Sequence, residues 1–377
     1  MNTLKFGNGE WYGKKDTILA YNDENSNYKP LPFNFSRASK ATVVNKDGLI
    51  EEVGSGQPRI DYKDDSKGAL LLEPSRSNLI PYSENFNSGW IKYGSPTINT
   101  SSIISPDGTL NGSKITRGSN GTPLRYSSLT SIGTQYTFSL YAKKGSVDKI
   151  RLDIGDVAEV EFTLTDEWQR FEVTQTPTNF THIDISFGIS TSGDNFYIYG
   201  AQLEQGSYDT SYIPTSGSAV TRLAENITQT TPNLSNSQEI TVFIDLGARP
   251  LTGSNSTSDA IEFFFASNNR IVYNQNGSSK HRIEINTDGN STRNYFSTTT
   301  FTTTPIKIAI AVTQSTLKIY TNRGDSWNVP IEGVADWSNL SVVKTNIIQS
   351  IGNIKINELR FYNTALTDQE LIALTQV

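Results

Sequence analysis

Residues 136–173 read YTFSLYAKKGSVDKIRLDIGDVAEVEFTLTDEWQRFEV, and the spacing of their apolar side chains decides the fold. Tyr136, Phe138 and Leu140 share one parity, followed by Ile150, Leu152 and Ile154, then Val160, Phe162 and Leu164, then Phe171 and Val173. A period of two puts successive side chains on opposite faces of a half-buried strand, and the Gly, Asp and Ser residues between the runs supply turns. The series continues through Ile183, Ile185, Phe187, Ile189, Phe196 and Ile198. It predicts an all-β, antiparallel β-sandwich.

A second alternating series begins at Ile240, Val242, Ile244 and Leu246. It runs through Ile261, Phe263, Phe265, Ile283, Ile285, Ile306, Ile308, Ile310, Val312, Leu317 and Ile319. Between the two, residues 214–238 are rich in Thr, Asn, Pro and Ser without periodicity, which places a domain boundary there. The chain closes on Ile354, Ile356, Leu359 and Phe361, then TALTDQELIALTQV, where Thr367 and Glu370 fit a capping box and Leu366 and Leu371 a hydrophobic staple. Residues 1–76 carry short aromatic clusters but no sustained period. The expected division is therefore an irregular region over 1–76, a first sandwich over 77–223 and a second sandwich over 224–377, with one short carboxy-terminal helix. No repeat of 20–50 residues suggests a solenoid, and no heptads suggest a coiled coil.

Composition removes much chemistry. The 377 residues suffice for two or three domains at roughly 100 to 200 residues each. With no Cys, thiolate nucleophiles, disulfides and Cys-ligated metals are excluded. Only two His are present, His182 and His281, so a three-His metal site cannot form within one chain. A net charge of −6, with no basic run longer than Lys14-Lys15 or Lys143-Lys144, argues against nucleic acid. Apolar stretches such as Ile306–Val312 fall far short of the roughly 18 to 20 residues of a spanning helix, so no membrane insertion is expected. The amino terminus lacks an apolar export segment, and synthesis in the cytoplasm is expected.

Two kinds of site suggest themselves. Glu159 and Glu161 lie two apart on one strand and Asp153 lies on a nearby one, with Asp184 as a further carboxylate; glycosidases work with such acid pairs. The plainer reading is the solvated face of an amphipathic strand. Trp90, Tyr93, Tyr126, Trp327 and Trp337 are candidate platforms for sugar rings, whose C–H faces pack on aromatic faces. Trp90, Trp327 and Trp337 fall in Gly-, Asn- and Ser-rich segments that read as loops. Calcium is offered only weak sites: Asp107 in SPDGTLNG, Asp194 in SGDNF and Asp288 in NTDGNS. None has EF-hand spacing, and each reads first as an Asp turn. No cofactor is otherwise implied.

Several strings are familiar. FNFSRASKATVVNKDGLIEEV (33–53), QPRIDY (57–62) and ALLLEPSRSNLIPYSENF (69–86) resemble a block found in head-fibre, tail-fibre and other structural proteins of phages and prophages. In that family the block precedes a jelly roll similar to carbohydrate-binding modules, and YIYGAQLEQGSYDTSYIPTSGSAVTR (197–222) resembles its closing strand and exit. INELRFYNTALTDQELIAL (356–374) is similar to the last strand and helix of concanavalin A-like, laminin-G-like sandwiches. The shared positions Arg37, Arg59, Arg76, Gln202 and Glu204 have a structural character.

The resemblance implies a virion protein, assembled in the host cytoplasm. It would join other virion proteins through the amino-terminal region, with Phe6, Trp11 and Tyr12 as anchoring side chains, and display two sandwiches to host-surface or mucosal glycans. Fibres of this kind are usually trimeric, so a homotrimer is expected. Removal of residues 1–30 is expected to leave both sandwiches folded. The alternatives are a glycan-degrading depolymerase using Glu159, Glu161 or Asp153, and inert spacer domains.

Overall fold

The structure is a computed structural model and describes residues 3–6, 11–14, 17–22, 27–64, 66–122, 124–127, 131–179, 182–228, 238–247, 258–264, 269–276, 280–287, 291–296, 306–331, 337, 342–344 and 354–376. It is all-β, in antiparallel sheets, apart from the helix Asp368–Gln376.

The first sandwich follows the alternation closely. Its eight main strands are, in chain order, Gly112–Thr116, Leu124–Ser127, Tyr136–Lys144, Lys149–Ile154, Val160–Thr163, Gln169–Gln175, His182–Phe187 and Asn195–Gln205. One sheet runs first, eighth, third, sixth; the other runs second, seventh, fourth, fifth. That order is the jelly roll, in which every connection except the hairpin from the fourth strand to the fifth crosses between the sheets. Thr97–Ile103 and Ile91–Lys92 extend the two edges. Phe138, Leu140, Ile150, Leu152, Ile185, Phe196 and Ile198 are fully buried between the sheets, each stabilising the fold by about 1.5–3 kcal/mol over an exposed position. At Gly200 the backbone turns left-handed (φ 64°), and a Cβ there would lie 3.1 Å from the ring of Tyr212. The glycine lets that ring close over the sheet.

The second sandwich departs from the expected division. One sheet is ordered Ser326–Pro330, Thr316–Thr321, Ile306–Val312, Ile240–Leu246, Ile354–Tyr362, Ala69–Leu72, Arg59–Asp61, and Thr3–Phe6 also pairs with Ile354–Tyr362. The other is ordered Trp11–Lys14, Thr17–Asn22, Asn27–Ser36, Asn226–Thr228, Val342–Lys344, Ser258–Phe264, Arg270–Asn276, Lys280–Thr287, Ser291–Phe296. Phe35, Leu70 and Leu72 lie in the same apolar core as Ile244, Ile310 and Phe361. Residues 1–76 are thus not a separate region. Both ends of the chain build one sandwich, and the jelly roll is inserted between them. The short period-free runs of the amino-terminal region gave no sign of this, because the strands they join outside that region, Asn226–Thr228 and Ile354–Tyr362, lie more than 150 residues away.

The chain leaves and rejoins the second sandwich through Arg76–Asn78 paired with Val220–Arg222. Around this neck five charged side chains are almost wholly buried: Arg37, Arg59, Glu73, Arg222 and Glu225. Glu225 accepts from Arg37 at 2.7 Å and from Arg59 at 2.7 and 2.5 Å. Glu73 pairs with Arg59 and Arg222, each at 2.8 Å. Burial works to raise the Glu73 pKa, but Arg222 and Arg59 outweigh it and hold the carboxyl well below its ordinary value. The hairpin Ala41–Val44/Ile50–Val53 straps the junction, with Thr42 donating to the Tyr212 carbonyl and Ile50 to that of Pro106.

The carboxy-terminal helix begins as its sequence requires. Glu370 accepts from the Thr367 N–H at 2.8 Å, the Thr367 hydroxyl accepts from the Glu370 N–H, and Leu366 and Leu371 are buried together.

Candidate functional site

The two outer faces of the jelly roll differ. On the sheet containing Asn195–Gln205, the outward residues Thr137, Ser139, Gln202 and Glu204 are fully buried. The exit segment lies over them: Thr210 donates to Glu204 at 2.9 Å from its backbone and 2.5 Å from its hydroxyl, and Ile213 donates to Gln202 at 2.6 Å. That face is spent on holding the neck. The opposite sheet carries the candidate site.

Its polar row follows from register. Arg125 lies opposite Asp184, Asp184 opposite Asp153, and Arg151 opposite Glu161. Arg125 holds Asp184 with two parallel hydrogen bonds, Nε to Oδ1 at 2.7 Å and Nη2 to Oδ2 at 2.5 Å. Its guanidinium also sits 5.5 Å from the ring centre of Tyr93, which is 37% exposed. His182 lies two residues before Asp184 on the same face, with Nε2 3.7 Å from Asp184 Oδ2. One ligand-type atom from each of Asp153, His182 and Asp184 falls within 4.8 Å of the others.

Asp153 is 5% exposed, and its Oδ1 has no hydrogen-bond partner. Burial, followed by the like charges of Asp184 and Glu159, pushes its pKa up to about 7, against the opposing pull of Arg125. Burial also lowers His182, partly offset by Asp184. The Arg125 pKa is raised, chiefly by its hydrogen bonds to Asp184. The row thus offers an exposed ring, a fixed guanidinium and a carboxylate oxygen with unused acceptor capacity, a set suited to hydroxyl-rich ligands.

The sequence-level candidates fall out unevenly. Trp90 is 5% exposed and packs against Phe86 and Tyr126, with ring centres 5.4 and 5.5 Å apart. Trp337 is fully buried, donating from Nε1 to the Thr313 carbonyl at 2.9 Å. Neither presents a face to solvent, so the sugar-platform reading of both is corrected; apolar burial outweighed their loop-like neighbourhoods. Tyr126 alternates with Arg125 and is part of the inward cluster. Trp327 lies on the strand Ser326–Pro330, half-buried against the second core. Of the five, Tyr93 joins the polar row.

Glu159 and Glu161 are solvated and held by Arg151, at 3.5 and 2.9 Å. Asp107 and Asp194 are filled by turn donors, Asp107 from Ser105, Thr109, Asn111 and Tyr199, and Asp194 from Thr191 and Ser146. Burial works against the Asp107 charge, yet those donors hold its pKa at about 2. Both carboxylates are thus engaged by protein donors. Asp288 lies outside the described residues, as do the side chains of Phe6, Trp11 and Tyr12, whose strands pair within the second sandwich. Sequence reasoning passed over both Arg125 and His182 as site residues. The shared parity of His182 and Asp184 on one strand is visible in the sequence, but that Arg125 and Asp153 lie beside them depends on the jelly-roll strand order.

A cleft of about 650 Å³, its mouth included, lies at the junction between Thr42, Asp61, Tyr141, Arg170, Asp209 and Lys355. Its charges are already matched: Lys355 with Asp61 at 2.6 Å and Asp64 at 2.5 Å, and Arg170 with Asp209 at 3.1 Å. It reads as a seam between the sandwiches.

No family model matches the chain, and no curated protein matches it. Several solved structures resemble part of it. The binding domain of Paraclostridial Mosquitocidal Protein 1 is 14% identical over 40% of each chain, with a TM-score of 0.34. The CBM40 of Ruminococcus gnavus IT-sialidase, bound to α2,3 sialyllactose, is 16% identical over 37% of this chain and 83% of its own, with a TM-score of 0.30. The Botulinum neurotoxin DC binding domain, in complex with rat synaptotagmin II, is 10% identical over 40% of each chain, with a TM-score of 0.35. The chain spans 40% of the length of the mosquitocidal and neurotoxin domains. These neighbours are carbohydrate- or receptor-binding β-sandwich domains, and at this similarity they say nothing about ligand or residues.

Proposed function

We propose that the protein is a non-enzymatic structural component of a phage-type virion, a head or tail fibre or decoration, whose jelly roll binds host-surface or mucosal glycan on the face carrying Tyr93, Arg125, Asp184 and Asp153. The observation that carries the binding reading is the exposed Tyr93 ring, backed by Arg125, at the end of a carboxylate row on the face that the exit segment leaves uncovered. The fibre reading is supported by the block resemblance over residues 33–86 and 197–222. Binding rather than hydrolysis is favoured because Asp184 is engaged by Arg125, and Glu159 and Glu161 by Arg151.

A single shallow site of this kind binds near the millimolar range, about −4 kcal/mol. Linked copies raise the effective affinity by roughly 10² to 10⁴, which suits a homotrimer anchored through the amino-terminal region. A glycan array probed with intact protein tests the binding reading. Tyr93→Ala is expected to abolish the signal while leaving the melting temperature nearly unchanged. An array silent for the wild type, or unaffected by Tyr93→Ala, would overturn it. Reducing ends released from host capsular polysaccharide, and lost in Asp153→Asn, would make the protein an enzyme instead. Light scattering that returns a monomer mass would remove the trimer.

A further inference from the structure

We propose that Asp153, His182 and Asp184 form a binding site for a divalent transition metal, best suited to zinc, on the polar face of the jelly roll.

Three observations converge on one point. His182 and Asp184 are two residues apart on one strand, so they project from the same face, and Asp153 meets Asp184 directly across the ladder. His182 Nε2 and Asp184 Oδ2 are 3.7 Å apart, and all three donors lie within 4.8 Å of one another. Ligands of a tetrahedral ion with bonds of about 2.0–2.2 Å stand roughly 3.4 Å apart, so small side-chain rotations suffice. The third observation is independent of the cluster's composition. Asp153 is 5% exposed, yet its Oδ1 has no hydrogen-bond partner. A buried acceptor without a donor is costly, and an ion would supply what the protein does not.

The donor set chooses the metal. One imidazole nitrogen and two carboxylate oxygens suit zinc, whereas calcium takes six to eight oxygens. A fourth position is left for water or for a hydroxyl of a bound molecule. Asp184 already accepts from Arg125 through both oxygens, but a carboxylate has about four lone-pair sites, so it can serve both. The Arg125 charge opposes the ion and weakens its binding.

The proposal does not depend on the glycan reading, and its test uses zinc alone. The full chain, freed of metal by chelation, is titrated calorimetrically with zinc chloride. One zinc per chain is expected for the wild type and for His281→Gln, which removes the other histidine. Asp153→Asn and His182→Gln should each weaken binding by at least about tenfold, since even a partner behind a metal ligand is worth that much. His182 is partly exposed at a strand start, so its variant decides the matter if Asp153→Asn fails to fold. No saturable binding by the wild type, binding unchanged in His182→Gln, or loss confined to His281→Gln would overturn the site. Calcium binding more tightly than zinc would overturn the choice of metal.

Discussion

At the scale of single residues, the tryptophan and the tyrosine at positions 90 and 93 divide the labour that loop context assigned to both. Trp90 fills space between Phe86 and Tyr126, whereas Tyr93 stands out from the fold over Arg125. Trp90→Ala is expected to destabilise the jelly roll by about 3–5 kcal/mol through the cavity it leaves. Trp337→Ala should do the same to the second sandwich, where the indole also loses its hydrogen bond to Thr313. Thermal melts check this directly, and a melting temperature unchanged in Trp90→Ala would contradict the packing described. Three residues along, Tyr93 is 37% exposed, so Tyr93→Ala is expected to cost far less stability than Trp90→Ala and to act chiefly on binding.

At the scale of elements, the amino-terminal strands matter more than their irregular sequence suggests. Thr17–Asn22 is hydrogen-bonded to Asn27–Ser36, and Thr3–Phe6 to the carboxy-terminal strand Ile354–Tyr362. Removing residues 1–30 therefore does not trim a free arm; it strips pairing partners and bares strand edges, which invite aggregation. The expected outcome is a truncated protein with a lower melting temperature in the second sandwich and concentration-dependent light scattering, while the jelly roll, whose eight main strands lie between Gly112 and Gln205, keeps its own transition. Equal stability of the truncated and full chains would refute the pairing. The helix shows the opposite relation between sequence and structure. Its capping box and staple involve residues three to five apart, and they form as written.

At the scale of the whole molecule, the charges buried at the neck tie the two sandwiches together. Arg59 reaches both Glu73 and Glu225, so Arg59→Ala leaves two buried carboxylates short of a cation, a loss of about 3–5 kcal/mol. Calorimetry should then show two separated transitions where the wild type shows closer coupling. The acid response follows from Glu73. Its folded pKa lies below its ordinary 4.5, so its stabilising contribution is full above that value and is lost as pH falls beneath it. Melting temperatures measured downward from pH 5 should fall, and Glu73→Gln should flatten that slope while lowering stability at neutral pH, because Arg222 loses its partner. A slope unchanged by the substitution would assign the acid response to other groups.

What the sequence determined alone was everything that acts at short range. Apolar alternation set the strands and their buried faces from Tyr136 to Ile198, except at Val160 and Ile189, which are exposed, and the segment 366–371 set the start of the helix. The absence of Cys removed sulfur chemistry outright. What only the tertiary structure decided was which strands are neighbours: that Ala69–Leu72 adds to Ile354–Tyr362, that the jelly roll is an insertion, and that Arg125, Asp184, Asp153 and His182 share one patch. The physical reason is range. Periodicity reports which face of a strand is buried but carries no information about its partner, because any half-buried strand can satisfy the hydrogen bonds of another. The choice among partners is made by closing one core over hundreds of residues. The same closure sent Trp90 and Trp337 inward and left Tyr93 at the surface.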